Sequence, residues 1–176
     1  MIYIDSTAFV DKDSEIEDDA RVEGRVQVRG STVRDTARVS GRATIKESNI
    51  FGSAEVYGDA RLMGSSIRGE ARVGGSAELH FTHVGGRAEI YGDAKLFSVS
   101  ATDDATVFGN AVLAPEEGLD VSLGHGCKFG GSANFMGLKT PEDFVAKYGA
   151  LRVEVRNLDD SSLFQLIVLT DVWDMG

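Results

Sequence analysis

The chain has 176 residues, 42% hydrophobic and 26% charged, with 21 glycines, 2 prolines and a formal net charge of −10. This composition predicts one soluble folded domain, or one domain with a small appendage. It excludes a collagen-like or Pro-rich chain, and with Cys127 as the lone cysteine it excludes a disulfide framework. The acidic balance argues against a protein that binds nucleic acid by neutralising phosphates.

The opening, MIYIDSTAFVDKD, has neither a basic n-region nor an apolar h-region, so no signal peptide is predicted and the cytoplasm is the expected compartment. There is no 18-residue apolar run to span a membrane. Aliphatic residues then recur every six positions at Ile4, Val10, Ile16, Val22 and Val28. From Val33 onward three interleaved columns repeat at a spacing of seventeen. One holds Ala37/Val39, Ala54/Val56, Ala71/Val73, Ala88/Ile90 and Ala105/Val107. A second holds Ala43/Ile45, Ala60/Leu62, Ala77/Leu79, Ala94/Leu96 and Ala111/Leu113. The third holds Val33, Ile50, Ile67, Val84 and Ala101.

Gaps of 5, 6 and 6 describe very short strands, three to a coil, in which a small residue and the aliphatic two positions later share a face. Gly with Asp or Asn after a strand, as in Tyr57-Gly58-Asp59 and Tyr91-Gly92-Asp93, turns the chain. A helix is excluded, since Gly every six positions would cost about 1 kcal/mol at each occurrence. The prediction is an all-β fold, a three-sided parallel β-helix over residues 1–137, with Val56 and Val73 in one inward column. The spacing of Leu113 and Leu123 is ten rather than five, which places an insertion at one corner, 114–120.

Residues 138–176 read as a cap or oligomerisation element. Thr140 as N-cap, Pro141 at the first helical position and Gly149 after the end predict a short helix over 141–148. Leu151, Val153 and Val155 alternate like a strand, and the β-branched residues between Phe164 and Trp173 favour a strand there.

Charge follows the coils. Residues 1–19 carry seven acids and one lysine, and 114–176 carry ten acids and five cations, while 20–113 nearly balance. Outward columns such as Arg21, Arg38, Glu55, Arg72, Glu89 and Arg61, Glu78, Lys95 bring alternating signs onto adjacent coils, which predicts weak exposed ion pairs between coils. A further outward column, Thr32, Asn49, Ser66, His83 and Ser100, is neutral. Beside it Met63, His80 and Phe97 fall on successive coils, with Phe81 adjacent; another corner carries Tyr57, Tyr91 and Phe108. Both groups are candidate partner-binding residues.

The repeat resembles the hexapeptide-repeat, left-handed parallel β-helix superfamily over about residues 4–137, and within it a bacterial and phage group often labelled as transferases. Only the resemblance implies the left hand. It also implies a trimer and, in its enzymes, a histidine base that activates an acceptor against an acyl-CoA thioester. His125, just past the insertion, and His83 are the candidates for that base. The string Leu123-Gly124-His125-Gly126-Cys127 resembles a stretch of the γ-class carbonic anhydrases, but the next ligand of that pattern would be at Gly130, so no metal site is expected. Cys127 sits in an inward small-residue slot, which suits a buried thiol.

Three readings follow. The favoured one is a non-enzymatic solenoid that binds protein and self-associates, with no cofactor. The second is an acyltransferase using acetyl-CoA or another acyl-CoA. The third is an acidic inhibitor, of the kind a phage could encode, that occupies a basic nucleic-acid-binding site on a target protein.

Overall fold

In the computed structural model the chain winds into a three-sided parallel β-solenoid of about seven coils of about 17 residues. The structure describes residues 1–115, 119–124 and 126–136, and the strands Val153–Asn157, Phe164–Val168 and Val172–Asp174; for these last strands and for 119, 120 and 135 it describes the backbone alone. The region read as a helix, 141–148, lies outside the described residues. Among the described residues every regular element is a strand.

Each coil gives one short strand to each face. One coil supplies Glu55–Val56 to the first face, Arg61–Met63 to the second and Ser66–Ile67 to the third. Each pairs in parallel with its equivalents one coil before and one coil after: Val56 with Val39 and Val73, Leu62 with Ile45 and Leu79, Ile67 with Ile50 and Val84. Alternation along so short a strand leaves one residue pointing in and its neighbour out. Val39, Val56, Val73, Ile90 and Val107 therefore stack in one buried column, and the aliphatics of the other faces fill the rest of the core.

Each edge also buries a small residue. These are Ala54, Ala71 and Ala88 where the third face meets the first, and Ala60, Ala77 and Ala94 between the first and second. Between the second and third they are Ser31, Ser48, Ser65 and Thr82, which form a hydroxyl ladder. The Ser48 hydroxyl donates to the Lys46 carbonyl at 2.7 Å and accepts the Ser65 N–H of the next coil at 3.0 Å. Thr82 repeats the pattern, donating to the His80 carbonyl and giving its N–H to Ser65 Oγ. A buried amide at this corner would otherwise go unpaired.

The register locates the irregularities. Leu96 pairs with Leu113 at the usual interval, but Val99 pairs with Val121, five positions beyond it, so the register counts five extra residues at the second–third edge. In the first coil Phe9 pairs with Gln27, one position beyond the usual interval, and Glu15 with Thr32 at that interval; the one extra residue falls at the same edge. The first coil has a neighbour on one side only, so Ile4 stays 44% exposed, and Val10 and Ile16 are half-buried. Farther along, Val153–Asn157 and Phe164–Val168 form an antiparallel pair that adds to the third face through Leu119–Leu123, and Val172–Asp174 extends the first face beside Lys128–Gly131.

Candidate interaction surface

The first–second edge turns through a column of glycines. Gly41, Gly58, Gly75 and Gly92 all have φ between 68° and 84°. They lie so close that a Cβ on Gly75 would sit 2.6 Å from the Gly92 carbonyl oxygen. Only glycine meets both demands. The aromatics at this edge pack on their own solenoid. The Tyr57 ring covers Gly74, the Phe108 ring covers Gly130, and Tyr91 stacks on Phe108 with centroids 5.9 Å apart and planes at 19°. Past the turn Arg42 holds Asp59 by two bonds of 2.8 and 2.7 Å, and the guanidinium keeps the Asp59 carboxyl below its ordinary range.

The second–third edge is built otherwise. Met63 lies opposite His80 and His80 opposite Phe97, and the His80 and Phe97 rings stack at 4.9 Å and 17°. The turn position one residue on has positive φ in five consecutive coils and is occupied in turn by Gly30, Glu47, Gly64, Phe81 and Ser98. Phe81 takes φ 52° and is 62% exposed, with one side of its ring against Gly64. A left-handed backbone costs an L-residue about 1–2 kcal/mol, and a bulky one is rarely found there.

The adjoining third face presents Glu15 and then Thr32, Asn49, Ser66, His83, Ser100 and Ser122 in one column, which beyond Glu15 holds no carboxylate, ammonium or guanidinium through Ser122. His83 is exposed between Ser66 and Ser100. The structure thus brings Met63, His80, Phe81 and Phe97 onto one edge, with His83 on the face beside it. Tyr57, Tyr91 and Phe108 occupy a different edge, across the second face. His125 lies outside the described residues. Cys127 is buried in the inward column that alanines occupy in other coils.

Among the described residues no three His, Cys, Asp or Glu side chains converge to hold a metal ion, and no helix is long and apolar enough to cross a membrane. Sequence reasoning missed the hydroxyl ladder, although Ser14, Ser31, Ser48, Ser65 and Thr82 recur at the same interval as the aliphatic columns and could have disclosed it. It also missed the left-handed backbone of Phe81; the signal there was Gly30 and Gly64 in the same column.

No protein-family model matches the chain, and no curated protein matches it. Solved structures similar to it include a UDP-N-acetylglucosamine acyltransferase from Francisella novicida, at 14% identity and a TM-score of 0.38, covering 83% of this chain and 73% of that one. A UDP-N-acetylglucosamine acyltransferase from Campylobacter jejuni has 12% identity and a TM-score of 0.30, covering 74% of this chain and 66% of that one. A hexapeptide transferase family protein from Anaplasma phagocytophilum has 16% identity and a TM-score of 0.27, covering 82% of this chain and 83% of that one. This chain, on its own strand pairing, is a three-sided parallel β-solenoid.

Proposed function

We propose that the protein is a non-enzymatic interaction module that self-associates through the second–third edge and the neutral third face. The observation that carries this reading is Phe81, a bulky side chain held at φ 52° and 62% exposed one residue past His80, beside the Met63–His80–Phe97 column. Strain of this kind persists where surrounding structure enforces it, and it clusters at functional positions. A knob anchored on a rigid edge loses little freedom on binding, which is what an interface anchor requires.

The third face supports the choice of a second copy as partner. Its outward column has no carboxylate or guanidinium from Thr32 to Ser122, and Glu15, Glu17 and Arg34 gather at its first coils, so two such faces meeting over Asn49 to Ser100 desolvate little charge. The outward columns of the first and second faces would bring Arg38, Glu55, Arg72 or Arg61, Glu78, Lys95 into any contact. A trimer is the assembly that the sequence resemblance implies.

Light scattering with sedimentation velocity is the test. The wild-type chain is expected to be larger than a monomer at tens of micromolar, and Phe81→Glu is expected to dissociate it with its circular dichroism unchanged. A wild-type monomer would overturn self-association. Calorimetry with acetyl-CoA at low salt addresses the enzymatic rival; binding that is lost in His83→Ala or His125→Ala, with turnover of an acceptor, would replace this reading.

A further inference from the structure

We propose that the first–second edge, in its second and third coils, binds a short carboxylate-rich peptide segment of a partner protein, through Arg21, Arg25 and Arg38. This surface is separate from the Phe81 edge. Along most of the solenoid, outward charges alternate from coil to coil. Arg72 meets Glu55 at 3.4 Å, Glu78 receives both Arg61 and Lys95 at 3.4 Å, and Arg42 and Arg87 each hold an aspartate of the next coil.

The alternation breaks in the second and third coils. Arg21 lies directly opposite Arg38 and Arg29 directly opposite Lys46, while Arg25 stands one coil before Arg42. Residues 20–46 carry seven cations and only two acids, Glu23 and Asp35. Like charges placed opposite each other weaken a sheet. Four of these cations are relieved locally. Arg29 bonds Gln27 and lies over the Phe9 ring, Arg34 lies over the Phe51 ring, Lys46 meets Glu47 at 3.5 Å, and Arg42 is held by Asp59. Arg21 has one loose contact, 3.9 Å to Glu23, and Arg25 and Arg38 make no ion pair among the described residues. Arg21, Arg25 and Arg38 are all exposed, and all three flank the turn at Gly24 and Gly41. The stack costs the solenoid cohesion, and it calls for a counter-charge from outside.

The surroundings select the kind of anion. The chain carries −10 overall, and Asp5 and Glu23 stand beside these arginines, so a long polyphosphate would meet repulsion on either side of the cluster. Arg21 and Arg38 line an open hollow of about 290 Å³ with Met1, Asp19 and Thr36, so a lone small anion there would stay in contact with water and face a carboxylate. An extended peptide puts carboxylates on one side about every 6.8 Å and offers each guanidinium a two-bond partner.

The probe is a fluorescein-labelled dodecapeptide of alternating Glu and Thr, titrated into the full chain and followed by anisotropy. Saturable binding is expected, weakening about tenfold or more between about 50 and 300 mM salt. Arg21→Glu restores strict alternation over Arg38, Glu55, Arg72 and Glu89. It is expected to weaken peptide binding about tenfold while raising Tm by about 1 °C. Arg38→Gln should also lose binding, whereas Arg61→Gln and Phe81→Glu should bind as wild type. Absence of wild-type binding, equal binding by Arg21→Glu, or loss in Phe81→Glu would each overturn the assignment. So would tighter binding of an oligothymidylate of equal charge.

Discussion

The first–second and second–third edges turn the same chain through similar angles, but they are sealed in opposite ways. At the first–second edge the backbone of one coil fills the space beside the next, and the Tyr57 and Phe108 rings there lie down on glycines. At the second–third edge the seal is inside: serine and threonine hydroxyls tie successive coils together, and the outer positions carry Gly30, Glu47, Gly64, Phe81 and Ser98. Both irregularities in coil length fall at this second edge. A turn closed from within leaves its outer surface free to vary, whereas a turn closed by backbone contact fixes every residue in it.

The sharpest way to break this contrast is a matched pair of substitutions. Gly75→Ala places a Cβ 2.6 Å from a backbone oxygen at φ 68°, and about 3 kcal/mol or more of destabilisation is expected in urea denaturation. Gly30→Ala at φ 52° meets no atom closer than 3.9 Å, so only the backbone penalty of about 1 kcal/mol remains. Equal losses would mean that the two edges are not sealed differently.

The inner seal is tested by Ser48→Ala. It leaves the buried Ser65 N–H without its acceptor, and a loss of about 1–3 kcal/mol is expected by the same measurement. A loss within error would assign the ladder no structural role.

Phe81→Gly sharpens the contrast in the other direction. Relief of the left-handed strain is expected to add about 0.5–1 kcal/mol to the stability of the dissociated chain while abolishing self-association. Unchanged assembly together with the added stability would show that the strain serves nothing at this edge.

The smallest effect concerns two aspartates. Asp59, at the first–second edge, has its pKa lowered chiefly by hydrogen bonding to Arg42; Asp11, at the second–third edge, has its pKa lowered chiefly by the Ser14 hydroxyl. A depressed carboxyl stabilises the fold above the ordinary carboxylate range, and that stability is lost as pH falls through the folded-state value, here below about pH 4. Carboxyl NMR titrations should show Asp59 moving up towards its ordinary value as salt is added, while Asp11 moves less, because salt screens an exposed charge pair more than a hydroxyl bond.

The repeat was legible because hydrophobicity and period agree. Val39, Val56 and Val73 are aliphatic for one reason, burial in one column, and their even spacing can be read without knowing the shape that produces it. The partner-binding candidates were legible only as columns. Nothing in the letters Tyr57 and Gly74 says that a ring covers the glycine, since that depends on which way the side chain lies along the axis. Phe81 was harder still. Left-handed positions are recognised by Gly, Asn and Asp, and a phenylalanine there contradicts its own preference. The hydroxyl ladder was missed because serine at a turn reads first as a solvent-facing residue.

The hydroxyl ladder has a consequence for length. Every rung uses the same two bonds, so excision of one whole coil, residues 52–68, would bring the Thr82 N–H to the Ser48 hydroxyl and rejoin Ile50 with Val84 in the core. A solenoid sealed this way changes size only in whole steps of about 4.8 Å. The separation between the arginine cluster near Gly24 and the Phe81 knob is therefore quantised. The chain can act as a ruler, setting two contacts a fixed number of coils apart.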